Sequence, residues 1–258
     1  MATPSEKLAE SLQVLKAFQD KGQIAIKTSQ FSRIHRERLV KNGFLKEVIK
    51  GWYIATPAYE QQGDSTSWYA SYWHFCAAYL ADRYGKSYCL SADHSLQIHS
   101  VNWTVPQQLI VRSTKGINSA IPLLYKTSLF SMKSSLPESA EITELEGVRM
   151  LTLVSALIHC SPSVFTRNAT DVRTALATIK GSSEILRLLL DGGHSTVAGR
   201  LIGAFRNIGQ ERIANDILKT MQAAGYTIRE TDPFETATPI VLSAREKSPY
   251  VNRIKLMW

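Results

Sequence analysis

The chain has 258 residues, 44% of them hydrophobic and 20% charged, enough for a sizeable core and for two or three modules. No apolar run approaches the roughly eighteen residues a membrane helix needs, and the opening MATPSEKLAES lacks the charged-then-apolar pattern of a secretory signal. A net charge of +8 and a pI near 9.4 call for an anionic partner if the charge is localised.

Apolar residues Leu8, Leu12, Val14, Leu15 and Phe18 recur at near-helical spacing, which predicts a helix from Ser5 to about Gln19, stopped by Gly22. Ile24–Ile26 reads as a short apolar piece, and a second helix follows from about Ser32 to Asn42, closed by Gly43. FLKEVI and GWYIAT read as two strands about the turn Lys50-Gly51, where a tight turn favours a residue at positive φ. Trp52 and Tyr53 then fall on alternate faces, one beneath the hairpin and one nearer solvent. The order helix, short strand, helix, hairpin is that of a winged helix. Only about fifteen residues separate Ile26 from Gly43, so the first helix of the usual pair must be very short or absent. A trimmed winged helix is the expectation.

The stretch from residue 21 to 50 holds eight Lys or Arg against Glu37 and Glu47, a net of +6 that is most of the chain's excess. A second basic patch lies at Arg245, Lys247, Arg253 and Lys255. The alternatives are a phosphate-binding surface and a plain solvated face. On the second helix, Phe31, Ile34 and Leu39 are expected to point inward with His35 among them, and Arg33, Arg36 and Val40 outward. Arg33 and Arg36 are then the candidates for base edges, because a guanidinium pairs bidentately with guanine. Lys27, Lys41, Lys46 and Lys50 suit phosphates, which demand only positive charge.

TPAYEQQGDSTS reads as a polar linker, after which Ser65 or Ser67 caps an aromatic-rich helix ending at Gly85. Its aromatic residues are expected in the core rather than on a stacking platform. A helix capped by Ser91 follows, and then QQLIVRST, IPLLYKTSLFSM and EITELEGVRML alternate like strands. From Leu151 to Gly225 the pattern is helical. Ala198, Gly199, Gly203 and Ala204 adjoin on one helix and permit close helix contact. The expected organisation is α+β: a winged-helix-like DNA-binding domain over 1–58, a small α+β middle module over 63–150, a helical region over 151–231 and a tail over 232–258.

Catalytic signatures are missing. The pairs HFC at 74–76 and HC at 159–160 lack the spacing of structural zinc and read as core packing, and no metal or cofactor is expected. Cys76, Cys89 and Cys160, odd in number and far apart, read as buried reduced thiols, with the cytoplasm as the default compartment. There is no Gly-rich phosphate loop and no G-x-S-x-G elbow. GSSEILRLLLDGG offers one aspartate, Asp191, where nucleotidyl transfer needs two, and reads as a helix closed by a glycine cap. No paired carboxylates suggest acid–base work.

RLVKNGFLKEVIKGWYIATP, SYCLSADHSLQIHSVNWTVPQQLIVRS and LEGVRMLTLVSALI resemble, in order, the AbiEi-type antitoxin family. In that family a winged helix precedes a larger domain, and prototype members repress their own promoter and counter a nucleotidyltransferase toxin. AGRLIGAFRNIGQERIANDILKTMQAAGYTIRETDPFE and SPYVNRIKLMW look like the region preceding the catalytic domain in a group of bacterial Fic-family proteins with an antitoxin-like N-terminal half. The Fic motif HxFxxGNGR is not present, and TELEG at 143–147 is one residue short of the family's inhibitory motif. The sequence ends at IKLMW where related proteins continue, so a polypeptide without the enzyme domain and without adenylyl transfer is expected. The resemblance implies a cytoplasmic, non-catalytic regulator that binds an operator in double-stranded DNA, with a toxin or a Fic domain as possible partner. The alternative is a protein-interaction module of a Fic-family adenylyltransferase lacking its catalytic domain.

Overall fold

The computed structural model describes residues 3–57, 60–61 and 63–235. The C-terminal basic patch and SPYVNRIKLMW lie outside the described residues.

Helix α1 (Pro4–Gln19) begins with a capping box: Thr3 Oγ1 accepts from the Glu6 amide at 3.3 Å, and the Glu6 carboxylate accepts from the Thr3 amide at 2.7 Å. Strand β1 (Ala25–Lys27) leads into a single 3-10 turn, Thr28–Gln30. Helix α2 (Arg33–Lys41) follows, capped by Ser32. Strands β2 (Leu45–Ile49) and β3 (Trp52–Ala55) form the hairpin, and the sheet order is β1-β3-β2, all antiparallel. The 3-10 turn stands where the first helix of the pair would be. Gly51 adopts φ +84°, as the tight turn requires. Its carbonyl accepts from the Thr28 amide at 2.8 Å, so the hairpin tip is tied to that turn.

This sheet is covered on both faces. Leu15, Ile26, Phe31, Leu39, Leu45 and Tyr53 cluster under α1 and α2. Ala25, Val48, Trp52 and Ile54 pack instead with helix α3 (Thr66–Tyr84). Trp52 and Tyr53 are therefore both buried, at 8% and 9% exposure, rather than one being nearer solvent. The alternation is as expected; the second face has a partner that the local sequence does not reveal. The Trp52 ring meets Phe75 at 6.1 Å and Tyr79 at 5.9 Å, both edge to face.

After α3 come β4 (Tyr88–Leu90), α4 (Ala92–His99), β5 (Gln108–Ser113), β6 (Ser119–Pro122) and β7 (Ser128–Lys133). They give a four-stranded sheet, β4-β5-β7-β6, in which only β5 and β7 run parallel. Strands β8 (Ile142–Leu145) and β9 (Val148–Leu151) form a separate hairpin. Trp68, Tyr72, Phe75, Tyr79 and Tyr84 of α3 are buried in the shared core, as expected, while Tyr69 stays 45% exposed.

Six helices follow among the described residues: α5 (Leu153–His159), α6 (Val164–Arg167), α7 (Ala169–Thr178), α8 (Ser183–Gly192), α9 (Ser195–Asn207) and α10 (Glu211–Ala223). The fold is α+β with a helical C-terminal region. Helix α6 has only four residues, too few to show a period in the sequence. Gly193 is left-handed and closes α8, so GSSEILRLLLDGG is the capped helix it reads as.

Three side-chain placements differ from expectation. Gly199 and Gly203 of α9 face the extended segment 229–232 rather than a helix, and a Cβ at either would collide with the carbonyl oxygens of Arg229 and Thr231. His74 and His159 are exposed, not core, while Cys76 and Cys160 beside them are buried. Adjacent helical residues face different directions, so burial of one says little of the next. Ile34, expected inward, is 65% exposed. It lies five residues before Leu39, about 140° away on a helical wheel, and so cannot share its inward arc.

Burial pushes the Cys76 and Cys160 thiols up to about 12 and Cys89 up to about 11, so all three are protonated and unreactive at neutral pH. No helix among the described residues is long and apolar enough to cross a membrane.

Candidate nucleic-acid interface

Helix α2 is seated on α1 by a polar hub. Ser11 lies on the apolar stripe of α1 and is wholly buried. Its Oγ accepts from the Arg38 guanidinium at 2.8 Å and sits 3.0 Å from His35 Nδ1. Arg38 also donates to the Lys7 carbonyl and approaches Glu10 at 3.9 Å. Arg38 is thus a positioning residue, which sequence reading missed. A lone serine within an apolar stripe was the available signal.

The opposite face of α2 points to solvent. Arg33, Ile34, Glu37, Val40 and Lys41 are exposed, and Arg36 is half-buried at the edge. Arg33 Nε donates to Glu37 Oε1 at 2.6 Å, one turn along. That hydrogen bond and charge hold the Glu37 carboxyl below its ordinary range and raise the Arg33 guanidinium. Both side chains are well exposed, so the pair adds little to stability. Lys41 and Lys50 form no ion pair among the described residues. Ile34 and Val40, 65% and 42% exposed, stand among these charges.

Lys27 and Lys46 are differently placed. Lys27 Nζ reaches both oxygens of Asp82 on α3, at 2.7 and 2.9 Å, and lies 5.9 Å from the Trp52 ring centroid. Lys46 Nζ donates to Glu60 Oε2 at 2.7 Å and to Tyr125 Oη at 2.8 Å. Burial opposes the Lys46 charge, but the hydrogen bonds to Glu60 and Tyr125 outweigh it and raise its pKa. Each ammonium already has its counter-charge, so neither belongs to the free cationic face. The structure brings Arg33, Arg36 and Lys41 together on α2, and places Lys50 apart on the hairpin turn.

One group of titratable side chains was invisible in the sequence. Glu138, Glu141, His159, Arg187, Asp191 and His194 line a depression of about 240 Å³ between the segment that precedes β8, the end of α5 and the end of α8. His159 Nε2 lies 3.7 Å from Glu141 Oε2, and Ser155 Oγ donates to the same oxygen at 2.7 Å. Burial, opposed by Glu141, holds the His159 imidazole below its ordinary pKa. The residues come from three separate stretches, which is why no motif announces them. Among the described residues no group of three or more His, Cys, Asp or Glu is arranged to hold a metal ion.

No protein-family model and no curated protein matches the chain. Among solved structures, the Rv2827c protein from Mycobacterium tuberculosis is similar, with a TM-score of 0.52 over 86% of this chain and 82% of that one. The two are 14% identical, so the likeness concerns the fold alone.

Proposed function

We propose that the chain is a non-catalytic, antitoxin-like transcription regulator that binds duplex DNA through α2. The observation that carries this reading is the outward face of α2, where Arg33, Arg36 and Lys41 surround the exposed Ile34 and Val40. An α-helix with its side chains is about 10–12 Å across and fits the major groove, about 12 Å wide; the nine residues of α2 run about 13 Å along it. Guanidinium groups there reach guanine edges, and Ile34 offers an apolar contact to a thymine methyl. Lys50 holds backbone phosphate from the hairpin turn. Its reach is short, because the turn is fastened to Thr28.

The exposed Ile34 and Val40, with Glu37 between them, also support a second reading. Exposed apolar side chains on a helix are what a protein partner uses, here a toxin or a Fic domain. Salt dependence separates the two. With Arg36, Lys41 and Lys50 unpaired among the described residues and Arg33 exchanging Glu37 for phosphate, log K for duplex DNA falls with log salt at a slope of about −3 to −4. Fluorescence anisotropy that detects no duplex binding even at low salt removes the DNA reading and leaves the protein partner.

A further inference from the structure

A second surface feature is independent of α2 and of the DNA reading. Between α3 and the tip of the β8–β9 hairpin lies a cleft of about 340 Å³, lined by Ala70, Trp73, His74, Trp103 and Glu146. The Trp73 and Trp103 rings stand 5.5 Å apart at 84°. Trp73 Nε1 donates to the Trp103 carbonyl at 2.7 Å, which fixes the two indoles as perpendicular walls. Ala77 packs against the hairpin tip, where a Cβ on Gly147 would lie 3.4 Å from its own.

Among the described residues Glu146 is the only carboxylate lining the cleft. Its side chain makes no hydrogen bond or ion pair among the described residues, whereas Glu144 on the same hairpin lies 4.0 Å from Arg149. Glu146 and Gly147 have φ of +50° and +74°, the geometry of a two-residue hairpin turn that favours Asn-Gly or Asp-Gly. A glutamate is disfavoured in that left-handed position, where Asn or Asp is tolerated.

We propose that this cleft binds an organic cation, an alkylammonium or guanidinium head enclosed by the two indoles with its charge met by Glu146. Aromatic faces attract cations through their quadrupole, and a nearby carboxylate adds direct neutralisation. An anion is disfavoured, since the Glu146 carboxylate stands in the lining. The volume lies near the lower end for small-ligand sites, which suits a single cationic head rather than a nucleotide. Such a head is presented either by a free quaternary amine or by an arginine side chain of a partner.

The test uses the full chain with nitrogen-15-labelled tryptophan, following the indole resonances by NMR at constant ionic strength. The probes are choline, N-acetyl-arginine methylamide and the neutral carbon isostere of choline. Saturable shifts of the Trp73 and Trp103 resonances by a cationic probe are expected, with the isostere binding about fivefold more weakly or worse. Glu146→Gln, a change at an exposed turn, should weaken the cation by a similar factor while the other indoles keep their positions. Tighter binding of choline identifies a free amine as the source, and tighter binding of the arginine derivative identifies a side chain. Equal binding of choline and its isostere, an unchanged affinity in Glu146→Gln, or no saturable shift at either indole overturns the proposal.

Discussion

Lys46 Nζ sits 2.7 Å from Glu60 Oε2, joining the second strand of the N-terminal sheet to the segment that leads into α3. The Glu60 side chain is only 7% exposed, and Tyr125 Oη completes the clasp at 2.8 Å from the same ammonium. A lysine that reads in sequence as a phosphate contact is a structural pin. Lys46→Ala should leave a buried carboxylate without its partner and lower stability by about 1–3 kcal/mol, less than for a fully buried pair. The salt slope of DNA binding should stay unchanged. Thermal melts beside a salt series check both halves.

Removing the Ser11 hub should loosen α2 without touching its outward face. Ser11→Ala leaves the Arg38 guanidinium and His35 without the hydroxyl they share and should cost about 1–2 kcal/mol. DNA affinity should fall on every sequence tested, with base preference kept. A relaxed preference in Ser11→Ala would mean that the hub residues themselves touch bases.

Trp52→Ala should cost about 3–5 kcal/mol, because the indole fills space between the N-terminal sheet and α3. Since Trp52, Phe75 and Tyr79 belong to one cluster, the loss should appear in a single transition of the whole chain. Separate early melting of the N-terminal part, seen by hydrogen exchange, would show that the two parts unfold independently.

His94 and His159 are both held below the ordinary imidazole pKa, chiefly by burial, against the opposing charges of Asp93 and Glu141 respectively; the His159 side chain is 38% exposed, so its share of the stability is the smaller. In the fold, His94 Nδ1 accepts from the Ile110 amide at 3.4 Å, which suits the neutral ring. The unfolded chain therefore takes up these protons first. The stability they lend is fully present above about pH 6.5 and is lost as pH falls from there through the folded pKa values. Chemical denaturation from pH 7.5 down to pH 5 should show this decline, and His94→Gln should flatten it.

Much of the fold is legible in the sequence because its signals are local. The caps at Ser32 and Ser91, the glycines at 51 and 193, and the period of α1 each act within one turn of chain. What was not legible depends on distant partners. Nothing near Lys27 or Lys46 shows that Asp82 and Glu60 neutralise them, and nothing near Trp52 shows that α3 covers the second sheet face. Ile34 is a different case, since its spacing from Leu39 already excluded a shared face.

Base preference in paired variants tests most directly whether α2 reads duplex DNA. Binding of a random-duplex pool should select a preferred site for the full chain, and anisotropy then compares variants on that site and on scrambled DNA. Arg33→Ala or Arg36→Ala should cost about 1–3 kcal/mol on the selected site and little on scrambled sequence. Lys50→Ala should weaken both alike and reduce the salt slope by about one. Equal losses for all three variants on every sequence, or no selected site at all, would contradict a base-reading α2.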